Sequence, residues 1–119
     1  MNALVGLEPQ IADSGLEKSL IELVRLRASQ LNGCAYCIDV HTADARKAGE
    51  SERRLALLPV WREANVYSDR ERAALAWTEA LTLVADSHVP DEDWEQAKQQ
   101  FEEAELVDLT LLVTNINAW

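Results

Sequence analysis

No part of this sequence is rich in positive charge. Eleven lysine and arginine residues stand against twenty-one aspartate and glutamate, a formal net charge of −10. The acidic residues are densest between Asp91 and Asp108, and no basic cluster offsets them anywhere in the chain. A surface of this sign repels phosphate backbones and anionic lipid, which argues against nucleic-acid and membrane-surface partners. Long hydrophobic runs are missing as well. The longest, Leu55 to Trp61, contains Pro59 and is far too short to cross a bilayer. The opening MNALVGLEPQIADSG has neither the basic n-region nor the sustained apolar core of an export signal, so a cytoplasmic location is expected. Gly and Pro are scarce, at 4 and 3 residues, and no segment is low in complexity, so disorder is not expected. With 48% hydrophobic residues in 119, the chain has material for one core and one domain spanning residues 1–119.

Strand signals are also lacking. No run combines apolar/polar alternation with hairpin turn residues, and there is no internal repeat, so the expected fold class is all-α, a compact bundle of about six helices. The first is predicted from Leu16 to about Leu31, with Leu20, Leu23, Val24, Leu26, Ala28 and Leu31 forming a broad apolar stripe and Asn32-Gly33 as the stop. The second runs from about Cys34 to Ala48, ending at Gly49, and a short third, SERRLALLP, is cut by Pro59. Ser68 and Glu71 form a capping-box signature for a fourth helix reaching about Asp86, with Ala74, Trp77, Leu81 and Val84 on one face. A fifth begins near Pro90 and turns Trp94, Ala97 and Phe101 inward, and a sixth carries ELVDLTLLVTNINAW to Trp119. That last helix has no C-cap, so the chain is expected either to continue or to be held there by a neighbour. The apolar first and last helices offer more hydrophobic surface than one small core readily covers, which predicts a homo-oligomer.

Cysteine is nearly absent, and the two present are three residues apart in NGCAYCIDVH, from Asn32 to His41. Cys34, Cys37 and His41 stand at i, i+3 and i+7 and share one face of the predicted second helix. A helix N-terminus presents unpaired N–H groups and a partial positive charge that stabilise a thiolate. In a reducing compartment a disulfide between such residues is expected to be transient and catalytic rather than structural. His41 is the local candidate to accept the thiol proton. Glu22, in an otherwise apolar helix leading into the cysteine turn, is the candidate carboxylate to orient or charge the imidazole. It lies about 18 Å along a straight helix from Cys34, so only an antiparallel return at Asn32-Gly33 brings it near His41. Tyr36 and Asp39 are expected to face away.

Other readings of these residues stay open at this level. The cysteines serve equally as small buried hydrophobes, His41 as a satisfied core or surface histidine, and Glu22 as a partner of Arg25. C-x2-C-x3-H supplies three zinc ligands, but structural zinc takes four and the other histidine, His88, has no ligand-like partner nearby in sequence; no metal or cofactor is expected. The dithiol of thioredoxin-type folds requires flanking strands that this chain does not offer.

The longer stretch ELVRLRASQLNGCAYCIDVH, Glu22 to His41, resembles the alkylhydroperoxidase D-like branch of the carboxymuconolactone decarboxylase superfamily. That pattern is a glutamate, twelve residues to a C-x-x-C, and a histidine four residues past the second cysteine. Glu22, Cys34, Cys37 and His41 match it. NVYSDRERAALAWTEALTLV and ELVDLTLLVTNINAW are similar to the family's later helices. The resemblance implies an all-helical fold assembled as trimers or hexamers, and a thiol-dependent peroxidase that takes a hydroperoxide and a dithiol reductant, such as a lipoyl-type dithiol. It implies Cys37 as the peroxidatic and Cys34 as the resolving cysteine, with Glu22 and His41 as a proton relay. One position departs from the best-known mechanism, which has a second histidine where this chain has Tyr36. A redox-responsive, non-enzymatic dithiol protein is the alternative, and the lactone decarboxylases of the superfamily, which do not use this cysteine pair, are a more distant one.

Overall fold

The fold is organised around one helix whose two flanks feed separate parts of the core. A computed structural model describes residues 2–118, with the side chains of residues 2–5 and 7 left out of the description. Among these residues the elements are α1 (Asn2–Ala12), α2 (Lys18–Asn32), α3 (Ala35–Lys47), α4 (Glu52–Leu57), a 3-10 turn (Leu58–Val60), α5 (Asp69–Thr82), α6 (Val84–Ser87), α7 (Asp91–Gln100) and α8 (Glu103–Ala118), with no strand. Helix α2 packs against α3, α5 and α8. Leu20, Ile21 and Val24 bury with Trp77 of α5, Phe101, and Leu109 and Leu112 of α8, whereas Leu23 and Leu26 bury with Ala45, Leu58, Trp61 and Leu75. Three sides of α2 are therefore covered, which is what its broad apolar stripe requires.

The all-α expectation holds, and the helix ends follow local chemistry. Gly33, at φ 66°, caps α2: its N–H donates to the Gln30 carbonyl and that of Cys34 to the Ser29 carbonyl. This is a Schellman turn, and glycine adopts its left-handed conformation without the Cβ clash other residues meet. Ser68 and Glu71 form both halves of the capping box at α5. Three expectations need correction. Helix α1, which contains Pro9, is an additional element, so the cysteine pair opens the third helix rather than the second. The predicted fourth helix breaks at Leu83, leaving Val84 50% exposed instead of inward. Trp94 is 39% exposed and shields the core only by stacking on Trp77, with ring centroids 5.5 Å apart, while Ala97 and Phe101 are buried as expected. The sixth predicted helix is α8; its last residue, Trp119, lies outside the described residues.

Buried charge ties the connectors to the bundle. Glu79 of α5 accepts from Trp61 Nε1 at 2.8 Å, Arg27 Nε at 3.1 Å and Arg62 at 3.0 Å, fixing the segment after the 3-10 turn to α2 and α5. Burial pushes the Glu79 carboxyl up, but these three donors outweigh it and hold it below its ordinary value of 4.5. A depressed carboxyl contributes stability that is present above its ordinary value and is lost as the pH falls through the folded one. Glu79→Gln is therefore expected to cost about 1–3 kcal/mol in urea unfolding at neutral pH. The gap to the wild type should narrow progressively below pH 4.5; an equal gap at neutral and strongly acidic pH would rule the linkage out.

Candidate functional site

A single turn both ends α2 and starts α3. The Schellman turn at Gly33 places Cys34 at the N-cap of α3, where its Sγ accepts the Cys37 N–H at 3.2 Å. Cys34 and Cys37 are joined as a disulfide with Cα atoms 5.3 Å apart, and both residues are half-buried. Because the cap residue is still outside helical geometry, it can turn towards the first turn of the helix as a regular helical cysteine could not. Tyr36 points to solvent at 77% exposure and Asp39 is exposed, as their register predicts.

The reversal at Gly33 brings α3 back along α2, and Glu22 meets His41 across the two helices. Glu22 is only 5% exposed, and its Oε2 lies 3.6 Å from His41 Nδ1, an ion-pair separation somewhat longer than a hydrogen bond. Both atoms are buried and have no other hydrogen-bond partner. Oε1 of the same carboxylate accepts from Arg25 at 3.0 Å, so the Arg25 pairing and the His41 pairing coexist on different oxygens. Burial pushes the Glu22 carboxyl up; His41 and Arg25 together overcome that and keep it below the ordinary carboxylate value. The carboxylate is thus ionised at neutral pH and available to stabilise an imidazolium.

The structure brings Glu22 to His41, and it joins Cys34 to Cys37 one turn before that histidine on the same helix. His88, the other candidate ligand, is an exposed cap residue of α6 outside this group. Three further residues belong to the surroundings and were not anticipated. Asp44 stands 3.9 Å from His41 Nδ1 and was detectable in principle, being one turn on along the same helix. Glu8 of α1 reaches Arg25 at 2.5 Å, and Asn115 of α8 donates to Glu8 at 2.9 Å. The only signal for Asn115 was a polar residue inside an apolar run, and Glu8 gave none. Glu22, His41 and Asp44 each offer one ligand atom within 4.8 Å of the others. Arg25 sits on the same carboxylate and opposes a cation there, and this donor set is not the C-x2-C-x3-H one weighed from the sequence.

Several known proteins are similar to this chain. The chain is 41% identical over its whole length to the uncharacterized protein YdfG of Bacillus subtilis, covering 81% of that protein. It is 31% identical over 101 residues to the uncharacterized protein YnjA of Escherichia coli, covering 54% of that protein. Over 45 residues it is 44% identical to the alkyl hydroperoxide reductase AhpD of Azorhizobium caulinodans, a quarter of whose length is matched. A crystal structure of an Agrobacterium tumefaciens protein of unknown function, proposed there to be an AhpD-type antioxidant defence protein, superposes with a TM-score of 0.95 at 42% identity, covering 99% of this chain and 81% of that one. The sequence model of the Carboxymuconolactone decarboxylase family matches residues 1–80, which include both cysteines, Glu22 and His41. This chain belongs to that family, as an AhpD-like member.

Proposed function

We propose that the protein is a dithiol-dependent peroxidase that reduces hydroperoxides at Cys37. The observation that carries this reading is the buried Glu22 carboxylate set against His41 on the helix that opens with the cysteine pair. A paired, buried carboxylate against an imidazole is an arrangement suited to proton transfer. His41 takes the Cys37 proton, and the Glu22 carboxylate stabilises the resulting imidazolium. The thiolate attacks the distal peroxide oxygen; the O–O bond breaks, Cys37 becomes a sulfenic acid, and the imidazolium returns a proton to the departing alkoxide. Cys34 then attacks the sulfenic sulfur, releasing water and forming the Cys34–Cys37 disulfide, and an external dithiol restores both thiols at the expense of its own oxidation. Tyr36, where the best-known mechanism has a histidine, is too exposed to act as a buried relay. The N-cap position of Cys34 supplies local stabilisation of its thiolate instead.

The test is turnover of cumene or tert-butyl hydroperoxide with several dithiol donors, including dihydrolipoyl compounds, followed by mass spectrometry of the cysteine state. Many turnovers per chain support the enzyme; a disulfide formed once, without turnover, supports the non-enzymatic redox-responsive reading. We further propose a cytoplasmic homo-oligomer, a trimer or hexamer. Much of the apolar surface of α2 and α8 is consumed within the chain, so the support rests on what is left exposed, including Tyr36, Val60 and Val107 at 77%, 55% and 63%. Light scattering at micromolar concentration should give a mass several times 13.3 kDa, and a monomer mass would overturn the assembly. Among the described residues no helix is long and apolar enough to cross a membrane.

A further inference from the structure

We propose that Arg25 is a positioning residue for this site: its guanidinium, anchored by Glu8 and through Glu8 by Asn115, holds Oε1 of Glu22 and thereby aims Oε2 at His41. The inference rests on the relay reading above and deepens it. The contacts run in one line through four helices. Asn115 Nδ2 of α8 donates to Glu8 Oε1 of α1 at 2.9 Å; Glu8 Oε2 accepts from Arg25 at 2.5 Å; Arg25 donates to Glu22 Oε1 at 3.0 Å; and Glu22 Oε2 faces His41 Nδ1 at 3.6 Å. Asn115 is 2% exposed and the Arg25 side chain 14%, while the Glu8 side chain that links them is 39% exposed, so the clamp is buried at both ends and open to solvent at Glu8.

Two physical consequences follow from this order. A carboxylate free to rotate about its terminal bond would direct an oxygen at His41 only part of the time; a guanidinium held on one oxygen fixes the plane of the group and so the direction of the other. The charges also alternate along the line, negative at Glu8, positive at Arg25, negative at Glu22. The line is neutral when His41 carries a proton and negative when it does not. Asp44 on the far side of His41 adds a further negative charge, α8 contributes only the neutral Asn115, and Lys18 lines the α1–α2 cleft beside Glu22 and Arg25. The proton that Cys37 gives up, placed on His41, would bring this line to neutrality.

Site-resolved alkylation of the reduced protein against pH tests this without relying on peroxide turnover, so a failure of the peroxidase reading remains distinguishable. With Arg25→Met, the acidic midpoint of Cys37 alkylation should move to higher pH, because a Glu22 carboxylate no longer held on Oε1 loses its alignment on His41. In a Glu22→Gln background the same substitution should change the rate less than about twofold, because its route of action is gone. Arg25→Lys, which keeps the charge but not the fork, should shift the midpoint in the same direction by less, and it carries the test if Arg25→Met does not fold. The proposal is overturned by an unmoved midpoint, by a downward shift, which would mean that Arg25 only competes with His41 for the carboxylate, or by equal effects with and without Glu22.

Discussion

Cys37→Ser is expected to abolish peroxide consumption outright, whereas Cys34→Ser should permit one attack and then stop. The two outcomes differ because the cysteines occupy different places in the same turn. Cys37 lies in the first turn of α3, one turn before His41, which the proposed mechanism makes the acceptor of its proton; Cys34 is the N-cap, one turn further along from the imidazole. In Cys34→Ser the oxidised Cys37 has no neighbouring thiol to condense with, so a sulfenic acid should accumulate that dimedone traps at Cys37 in a one-to-one ratio. In the wild type, peroxide should instead give the Cys34–Cys37 disulfide, reopened by dithiol. Dimedone found at Cys34 in Cys37→Ser would exchange the two roles and keep the chemistry. Wild-type protein that forms no intramolecular disulfide on exposure to peroxide would end the dithiol mechanism.

The second large effect is expected at the pair that meets across α2 and α3. On the proposed mechanism His41→Ala removes the acceptor of the Cys37 proton, and it should slow peroxide attack at neutral pH by about a hundredfold, within the usual range for a positioned general base. Glu22→Gln leaves the imidazole in place but withdraws its counter-charge. The apparent Cys37 pKa should then rise by about 1–2 units, which at neutral pH lowers the thiolate fraction by at most about ten- to a hundredfold. The sign is fixed: the acid limb of alkylation moves to higher pH in both variants, and the two substitutions combined should cost little more than His41→Ala alone. Both folds should persist. Glu22→Gln retains the size and polarity that the site is built around, and His41 is only partly buried. Alkylation profiles that coincide with the wild type in both variants would remove the pair from the mechanism.

Part of this protein could be read directly from the chain, because the signals are local. The 3.6-residue spacing of Leu20, Leu23, Val24 and Leu26, the Asn32-Gly33 stop, the Ser68–Glu71 capping box and the Cys34–Cys37–His41 register each depend on residues within one or two turns, and each is found where the sequence puts it. Helix α1 was not legible: it carries Pro9 and is followed by a Gly15-containing connector, so nothing local distinguishes it from a loop until Ile11 docks in the core. The break at Leu83 was hidden for a related reason, since the apolar stripe runs on through Val84 while the backbone stops following it. The Glu22 carboxylate was a suspicion in the sequence, with two partners in competition. Only the antiparallel return of α3 showed that one oxygen serves Arg25 and the other His41. Glu8 and Asn115 stand 107 residues apart and meet above the same guanidinium. Local signals mark most of the helices and which of their residues share a face. The meeting of a charged line from four helices depends on how those faces are packed, a long-range outcome that no short window of sequence carries.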